Sequence, residues 1–166
     1  MKPRLTTGVL VAALICVGLM AGIFFAFTTS VMPGLHTADD RTFVEAMRHL
    51  NAAIENGLFG LVFVGALGFP AGAAVLLARG GHRAAAGWAA AAAVLYLVAL
   101  VLTMAVEVPL NDRLAAASLS DPAAARRNFE GVWVPVNDVR TLLTASALAC
   151  LAPALGLARR PARMSG

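Results

Sequence analysis

The side chains best suited to chemistry lie in two stretches of this sequence, residues 39–56 and 107–140. The set we single out comprises His49, Asn51, Asn56, Glu107, Asn111, Asn137 and Arg140. Amide and guanidinium groups of this kind bind the oxygen atoms of small molecules. The three histidines of the chain are dispersed, and no Cys/His cluster has the spacing of a structural metal site. The set therefore predicts a small-molecule site without a metal.

Arg140 is the most informative of these residues. It follows Asn137 by three positions, so a helix there places both side chains within one turn of each other. A planar, permanently charged guanidinium can hold an anionic oxygen such as a phenolate or an enolate. The alternatives are a charge that reaches the membrane interface, or a salt bridge to Glu107 or Asp138.

His49 is the candidate proton acceptor. An imidazole titrates near neutral pH, so it can act as a general base, or it can serve as an axial haem ligand. The alternative is an exposed or hydrogen-bonded histidine without a chemical role. Glu45, four residues earlier, would favour the protonated form on an exposed helix face.

Four uncharged apolar stretches surround the two polar ones and must position these side chains. Hydrophobic residues make up 60% of the chain and charged residues only 13%, too few to cover a soluble domain of this size. About 20 apolar residues span the ~30 Å of hydrocarbon in a bilayer. We predict an all-α four-helix bundle, one integral membrane domain over residues 1–166, with transmembrane helices at 7–32, 57–78, 84–106 and 141–158.

The distribution of charge predicts the orientation of these helices. All nine acidic residues lie in the two polar stretches, whereas three flanks carry only basic residues: Lys2, Arg4, Arg79, Arg83, Arg159, Arg160 and Arg163. The positive-inside rule places such flanks, and with them both termini, in the cytoplasm, in this case of a bacterium. The net charge of +4 resides at these flanks, so the expected partners are membrane lipids and not nucleic acid.

The two outer loops, residues 33–56 and 107–140, are predicted to form a helical cap. Asp39 or Asp40 can cap a helix that extends to residue 56, and Asp121 followed by proline opens a second helix that ends near residue 131. Small residues in the spans are expected to allow close helix crossings within the monomer, or otherwise in a homo-oligomer: Gly18, Gly22, Ala26, Gly68 and Gly72.

Aromatic residues are concentrated at the same end of the predicted bundle as the polar groups. Trp133 and seven of the eight phenylalanines lie in the outer half of the spans or in the cap. An apolar cavity with aromatic walls and a few convergent polar groups is the usual form of a small-molecule site. We predict that Asn51, Asn56, Asn111, Trp133, Asn137 and Arg140 line such a cavity, with Phe24 and Phe59 in its walls. In the alternative interpretation the phenylalanines fill the core and each asparagine caps its own helix.

Three segments carry a resemblance to a known family. Residues 46–59 (AMRHLNAAIENGLF), 108–114 (VPLNDRL) and 133–141 (WVPVNDVRT) resemble the anthrone oxygenase-like membrane family. Residues 21–35 are also similar, so the resemblance covers nearly the whole chain in the right order. The family pattern matches Asn51, Asn56, Asn111, Trp133, Asn137 and Arg140, and this chain departs from it at Arg48, Gly57 and Glu107.

The resemblance implies a small membrane oxygenase that acts with dioxygen on a lipophilic aromatic molecule of the anthrone or hydroquinone type. A doubly activated C–H acid can be deprotonated to a carbanion that reacts with dioxygen itself, so no cofactor is expected. The protein then has to remove a proton, stabilise the anion and orient the ring. On this hypothesis His49 is the base, Arg140 with Asn111 and Asn137 holds the oxyanion, and Trp133 stacks on the ring.

Two alternatives belong to other functional classes. One is a non-enzymatic membrane protein that binds a lipid or a quinone, or that serves as a subunit of a larger complex; a closed outer end without a cavity would favour it. The other is a membrane oxidoreductase that depends on haem, copper or another metal.

Overall fold

The fold is given by a computed structural model that describes residues 3–159, and this range is helical without a strand. The elements, in chain order, are α1 (Pro3–Ala26), a first π turn (Phe27–Val31), α2 (Met32–His36), α3 (Asp40–Ile54), α4 (Gly57–Arg79), α5 (Arg83–Leu102), a second π turn (Thr103–Glu107), α6 (Val108–Ala116) and α7 (Pro122–Ala158). The all-α class predicted from the sequence is confirmed. Lys2, Arg160 and Arg163 of the predicted basic flanks lie outside the described residues.

Four helical segments are long and apolar enough to cross a membrane: Arg4–His36, Gly57–Arg79, Arg83–Ala116 and Pro122–Ala158. The prediction of a multi-pass membrane protein with four spans is confirmed. The segments extend beyond the predicted spans, because α1 continues through the first π turn into α2, and α5 continues through the second π turn into α6.

The helix that begins at Asp121 does not end near residue 131, and in this respect the prediction was wrong. Helix α7 runs without interruption for 37 residues, although Pro135 lies inside it. Phe129, Trp133 and Asn137 recur every four residues and are buried on one face. Burial of this face against the rest of the cap offsets the cost of an interior proline, which is about 3 kcal/mol.

The four long helices pack side by side, with α1 against α4 and α7, and α5 against α4 and α7. Fully buried alanines make the close contacts in the core around Tyr96: Ala13, Ala66, Ala92 and Ala147. The glycines of the predicted stripes do not make such close contacts. A methyl group placed on Gly22 or Gly68 would meet no atom within 4 Å, and one on Gly18 would meet Leu148 at an ordinary 3.8 Å.

One end of the bundle, which we call the cap end, is covered by α2, α3, α6 and the first turns of α7. These elements share a core that includes Phe43, Met47 and Phe129. The side chain of Asp39 accepts the amides of Arg41 and Thr42 at 3.1 Å and so caps α3, as predicted. Hydrogen bonds from the hydroxyl and amide of Thr42 lower the pKa of Asp39.

Two arginines, the buried Arg126 and the half-buried Arg48, connect the elements of the cap. Arg126 of α7 bonds to Glu130 at 2.7 Å, to Asp40 at 3.1 Å and to the backbone carbonyls of Ala38 and His36. Arg48 of α3 donates to two carbonyls at the end of α6, where helical carbonyls lack intrahelical partners. The cap is therefore held together by side-chain to backbone bonds as well as by its apolar core.

The opposite end of the bundle, the hairpin end, contains the tight turn between α4 and α5. Gly81 adopts a left-handed conformation there, with φ of 80°, which glycine tolerates without strain. Thr6 of α1 and Arg159 after α7 lie beside this turn, so the described chain begins and ends at the hairpin end. Its cytoplasmic location stays a prediction.

Candidate functional site

A cavity of about 120 Å³ lies at the cap end, beneath the C-terminal half of α3. Helices α1, α3, α4, α6 and α7 contribute to it, together with both π turns. Its lining comprises Ile23, Phe24, Phe27, Leu50, Asn51, Ile54, Glu55, Phe59, Thr103, Glu107, Val108, Asn111, Trp133, Asn137 and Arg140. Mostly apolar walls with a few polar groups are the usual form of a small-molecule site.

The two π turns place residues in the wall of this cavity. Phe27 begins the first π turn, and Thr103 and Glu107 are the first and last residues of the second. Each π turn precedes a proline, Pro33 or Pro109, whose ring would clash with the carbonyl four residues earlier in a regular helix. In both cases that carbonyl lies inside the π turn, so the wider turn relieves the clash. Such turns are frequent at functional sites.

Arg140 reaches into the cavity from α7 and is only 4% exposed. Its Nη1 donates to the Thr103 hydroxyl at 3.1 Å, and its Nη2 donates to Asn137 Oδ1 at 2.9 Å. The guanidinium lies over the Phe24 ring at 4.3 Å from the ring centre, a cation–π contact. Arg140 therefore does not extend to the membrane interface.

Glu107 forms an ion pair with Arg140. Its Oε2 lies 3.3 Å from Arg140 Nη2, and the glutamate is 1% exposed. Of the two salt bridges considered for Arg140, the one to Glu107 is present, whereas Asp138 accepts a hydrogen bond from Thr28. Glu107 belongs to the polar set singled out from the sequence, but no catalytic role was predicted for it.

The buried polar atoms that lack a hydrogen bond are concentrated at the cavity. Within residues 3–159 the buried side-chain atoms of this kind are Asn51 Nδ2, Glu107 Oε1, Glu107 Oε2 and Arg140 Nε, and all three residues line it. An unsatisfied buried polar group costs about 1–3 kcal/mol, and more if it is charged. The residues that line the cavity thus include two acceptor atoms and two donor atoms without a hydrogen bond.

Asn137 and Asn111 line the cavity, but their side chains already have partners. Asn137 Nδ2 donates to the Phe24 carbonyl at 3.1 Å and to the Thr28 hydroxyl at 3.0 Å, and its oxygen accepts from Arg140. Asn111 Oδ1 accepts the indole N–H of Trp133 at 3.1 Å. Both asparagines thus fix the orientation of a larger neighbour.

Trp133 and Phe24 form the aromatic wall on the side of α7 and α1. The indole packs against Phe27, with ring centres 5.4 Å apart, and stacks on Phe129 at 5.8 Å. Phe59 belongs to the opposite side, where it stacks on Phe63 at 5.6 Å. The predicted aromatic residues therefore surround the polar groups.

Two predicted site residues do not line the cavity. Asn56 is exposed and caps α4, accepting the amide of Phe59 at 3.0 Å and donating to the Ala53 carbonyl. His49 is exposed on α3 and is absent from the lining. Cys16 and Cys150 are free thiols. In the described part of the chain, no three His, Cys, Asp or Glu side chains form a group that could hold a metal ion.

Comparison with known proteins finds one family. A family model described as anthrone oxygenase matches residues 57–150, more than half of the chain. The matched region contains Phe59, Glu107, Asn111, Trp133, Asn137 and Arg140 of the cavity. No curated protein and no solved structure matches the chain.

Proposed function

The chain belongs to the anthrone oxygenase family, and we propose that it oxidises a lipophilic aromatic molecule of the anthrone or hydroquinone type with dioxygen and without a cofactor. The observation that carries this proposal is the buried pair of Glu107 and Arg140, which lines a cavity with aromatic walls and has side-chain atoms without a hydrogen bond. Such a pair can take up a proton and stabilise the anion that remains, which is the chemistry that a C–H or O–H acid requires.

Glu107 replaces His49 as the proposed base. A general base has to lie within hydrogen-bonding distance of the proton that it removes. Glu107 lines the cavity with both carboxylate oxygens free of hydrogen bonds, whereas His49 is exposed and lies outside the lining. The same reasoning makes Asn137 a positioning residue, because its hydrogen bonds hold Arg140 in place.

The charges of the site balance at every stage of this reaction. Before proton transfer, the negative charge is on Glu107 and the positive charge is on Arg140. After a neutral substrate gives its proton to Glu107, the negative charge is on the substrate and faces the same guanidinium. A buried net charge would be costly, and this exchange avoids one. Arg140 Nε and Asn51 Nδ2 are the free donors for the oxyanion.

With an anthrone as substrate, Glu107 removes one proton of the activated CH₂ group, and the carbanion adds dioxygen to give a peroxide anion. The proton returns from Glu107 to form the hydroperoxide, which loses water to leave a ketone. The sum is R₂CH₂ + O₂ → R₂C=O + H₂O. For a hydroquinone the two-electron oxidation gives a quinone and hydrogen peroxide.

Oxygen uptake by the purified protein in lipid nanodiscs tests this function. We expect turnover of at least one of two test substrates, anthrone and a lipophilic hydroquinone. For Glu107→Gln we expect a fall in kcat of about 100-fold or more, the lower range of general-base catalysis. Glu45→Gln is the matched control, because Glu45 lies on α3 and pairs with Arg41 outside the cavity. Iron and copper are measured in the same samples.

Full activity of Glu107→Gln would contradict the role of Glu107. Stoichiometric haem or copper in active protein would contradict the cofactor-free reaction and favour a metal-dependent oxidoreductase. Binding of a lipid or quinone without any oxygen uptake would favour the non-enzymatic alternative.

A further inference from the structure

The size of the cavity restricts the substrate more than membership of the family does. The cavity measures about 120 Å³, whereas an engineered apolar cavity of about 150 Å³ in another protein holds one benzene molecule. An anthrone has three fused rings and more than twice the non-hydrogen atoms of benzene. On the basis of the function proposed above, we propose that the cavity binds a single-ring phenol and excludes three-ring substrates.

Two sides of the cavity are fixed by buried contacts. Trp133 is held by its hydrogen bond to Asn111 and by stacking on Phe129. Arg140 is held by Thr103 and Asn137, and it covers the ring of Phe24. Enlargement on these sides would break buried hydrogen bonds.

The end of α3 contributes a further wall, which Leu50 and Ile54 line. Leu50 is 38% exposed, so its side chain lies at the rim between the cavity and the outside. Truncation of Leu50 therefore adds space to the cavity without removing a core residue. The proposed size limit can therefore be tested by truncation of the single side chain of Leu50.

The unpaired atoms match the hydrogen-bonding capacity of one phenol hydroxyl. A hydroxyl offers one donor and two acceptor sites. Glu107 supplies the acceptor, and Arg140 Nε and Asn51 Nδ2 are free donors. Because the ion pair is only 3.3 Å wide, one substrate oxygen can contact both of its members. The ring then lies among Phe24, Phe59 and Trp133.

Fluorescence of Trp133 measures binding directly. The chain has two tryptophans, and Trp88 is exposed at the hairpin end, so a Trp88→Phe background leaves Trp133 as the reporter. The probes are 4-methylphenol, toluene and anthrone, all added without oxygen to protein in nanodiscs. We expect 4-methylphenol to quench Trp133 and to bind about 10- to 100-fold more tightly than toluene, since its hydroxyl bonds to charged groups.

We expect anthrone to leave the fluorescence of Trp133 unchanged in the Trp88→Phe background. Once Leu50→Ala is added, we expect anthrone to bind and to change this fluorescence. Leu58→Ala is the matched control, because Leu58 is 73% exposed on α4 and does not line the cavity. Size-exclusion chromatography verifies that each variant is folded. The size test does not need Glu107→Gln, so it stays decisive even if that variant fails to fold.

The outcomes separate this inference from the proposed function. Anthrone binding as tightly as 4-methylphenol without Leu50→Ala overturns the size limit, and so does failure of 4-methylphenol to bind. In either case, oxygen uptake with anthrone leaves the proposed function standing. Selective binding of 4-methylphenol without oxygen uptake on any substrate supports the inference and contradicts the proposed function.

Discussion

Replacement of Arg140 by lysine separates the chemical role of this residue from its structural role. The substitution keeps the positive charge beside Glu107 but removes the planar fork. In the structure the fork bonds simultaneously to Thr103 and Asn137, while its Nε has no hydrogen bond. A single ammonium group cannot occupy all of these positions.

The expected losses differ in size. A hydrogen bond that involves a charged group contributes about 1.5–3 kcal/mol, so loss of one guanidinium bond in Arg140→Lys should reduce the free energy of unfolding by about that amount. Loss of one donor to an oxyanion lowers kcat by about 100- to 1000-fold, which is about 3–4 kcal/mol of the barrier. The free-energy barrier to turnover should therefore change more than the free energy of unfolding.

Arg126→Lys is the matched control. Arg126 is 9% exposed, bonds to Glu130 and Asp40, and covers the Phe43 ring at 4.5 Å, but it does not line the cavity. Oxygen uptake and thermal unfolding in nanodiscs are measured for both variants. We expect Arg126→Lys to be destabilised and to keep its kcat. Equal loss of kcat in both variants, or full activity of Arg140→Lys, would refute the oxyanion role.

Three further predictions concern residues outside the cavity. His49→Ala and Asn56→Ala should leave kcat unchanged, and loss of the α4 cap should lower the stability of Asn56→Ala by about 1 kcal/mol in chemical unfolding; a large loss of kcat in either variant would show that the residue takes part in the site. The lowered pKa of Asp39 means that its stabilisation of α3 is present at neutral pH and is lost as the pH falls through that lowered pKa. Asp39→Asn should flatten the acid limb of the stability curve, and an unchanged limb would contradict this. Cysteines introduced at Ser165 and Ser120 in a Cys-free background should be labelled from the cytoplasmic and the outer side respectively, and outer labelling of position 165 would reverse the predicted orientation.

The sequence predicts the four spans and the two helix starts of the cap because these depend on composition and on local signals. Charge sorting and apolar length identify four spans, and Asp39 and Asp121 identify two helix starts. Each of these signals acts locally, through the cost of burying a charge or through an unpaired amide. They need no knowledge of how the helices pack.

Other features depend on packing, and several of these were not predicted. Pro135 signals a break, yet α7 continues because its buried face stabilises it. Asn51 and Asn56 both lie near the end of α3, but one has an unpaired amide at the cavity and the other caps α4, and only the direction of each side chain distinguishes them. The proposal of Glu107 in place of His49 as the base depends on side-chain direction in the same way. The prolines after both π turns were the available signal for the shape of the site.

Restoration of activity by ionised substrate tests the role of Glu107 most directly. Oxygen uptake by wild type and by Glu107→Gln is measured from neutral pH to above the pKa of a lipophilic phenol or anthrone that the wild type oxidises. The rate without protein is subtracted at each pH. A substrate that enters already ionised needs no base, whereas it still needs Arg140. We predict that the deficit of Glu107→Gln shrinks as the substrate ionises while that of Arg140→Lys persists. A deficit of Glu107→Gln that is the same at every pH would contradict proton removal by Glu107.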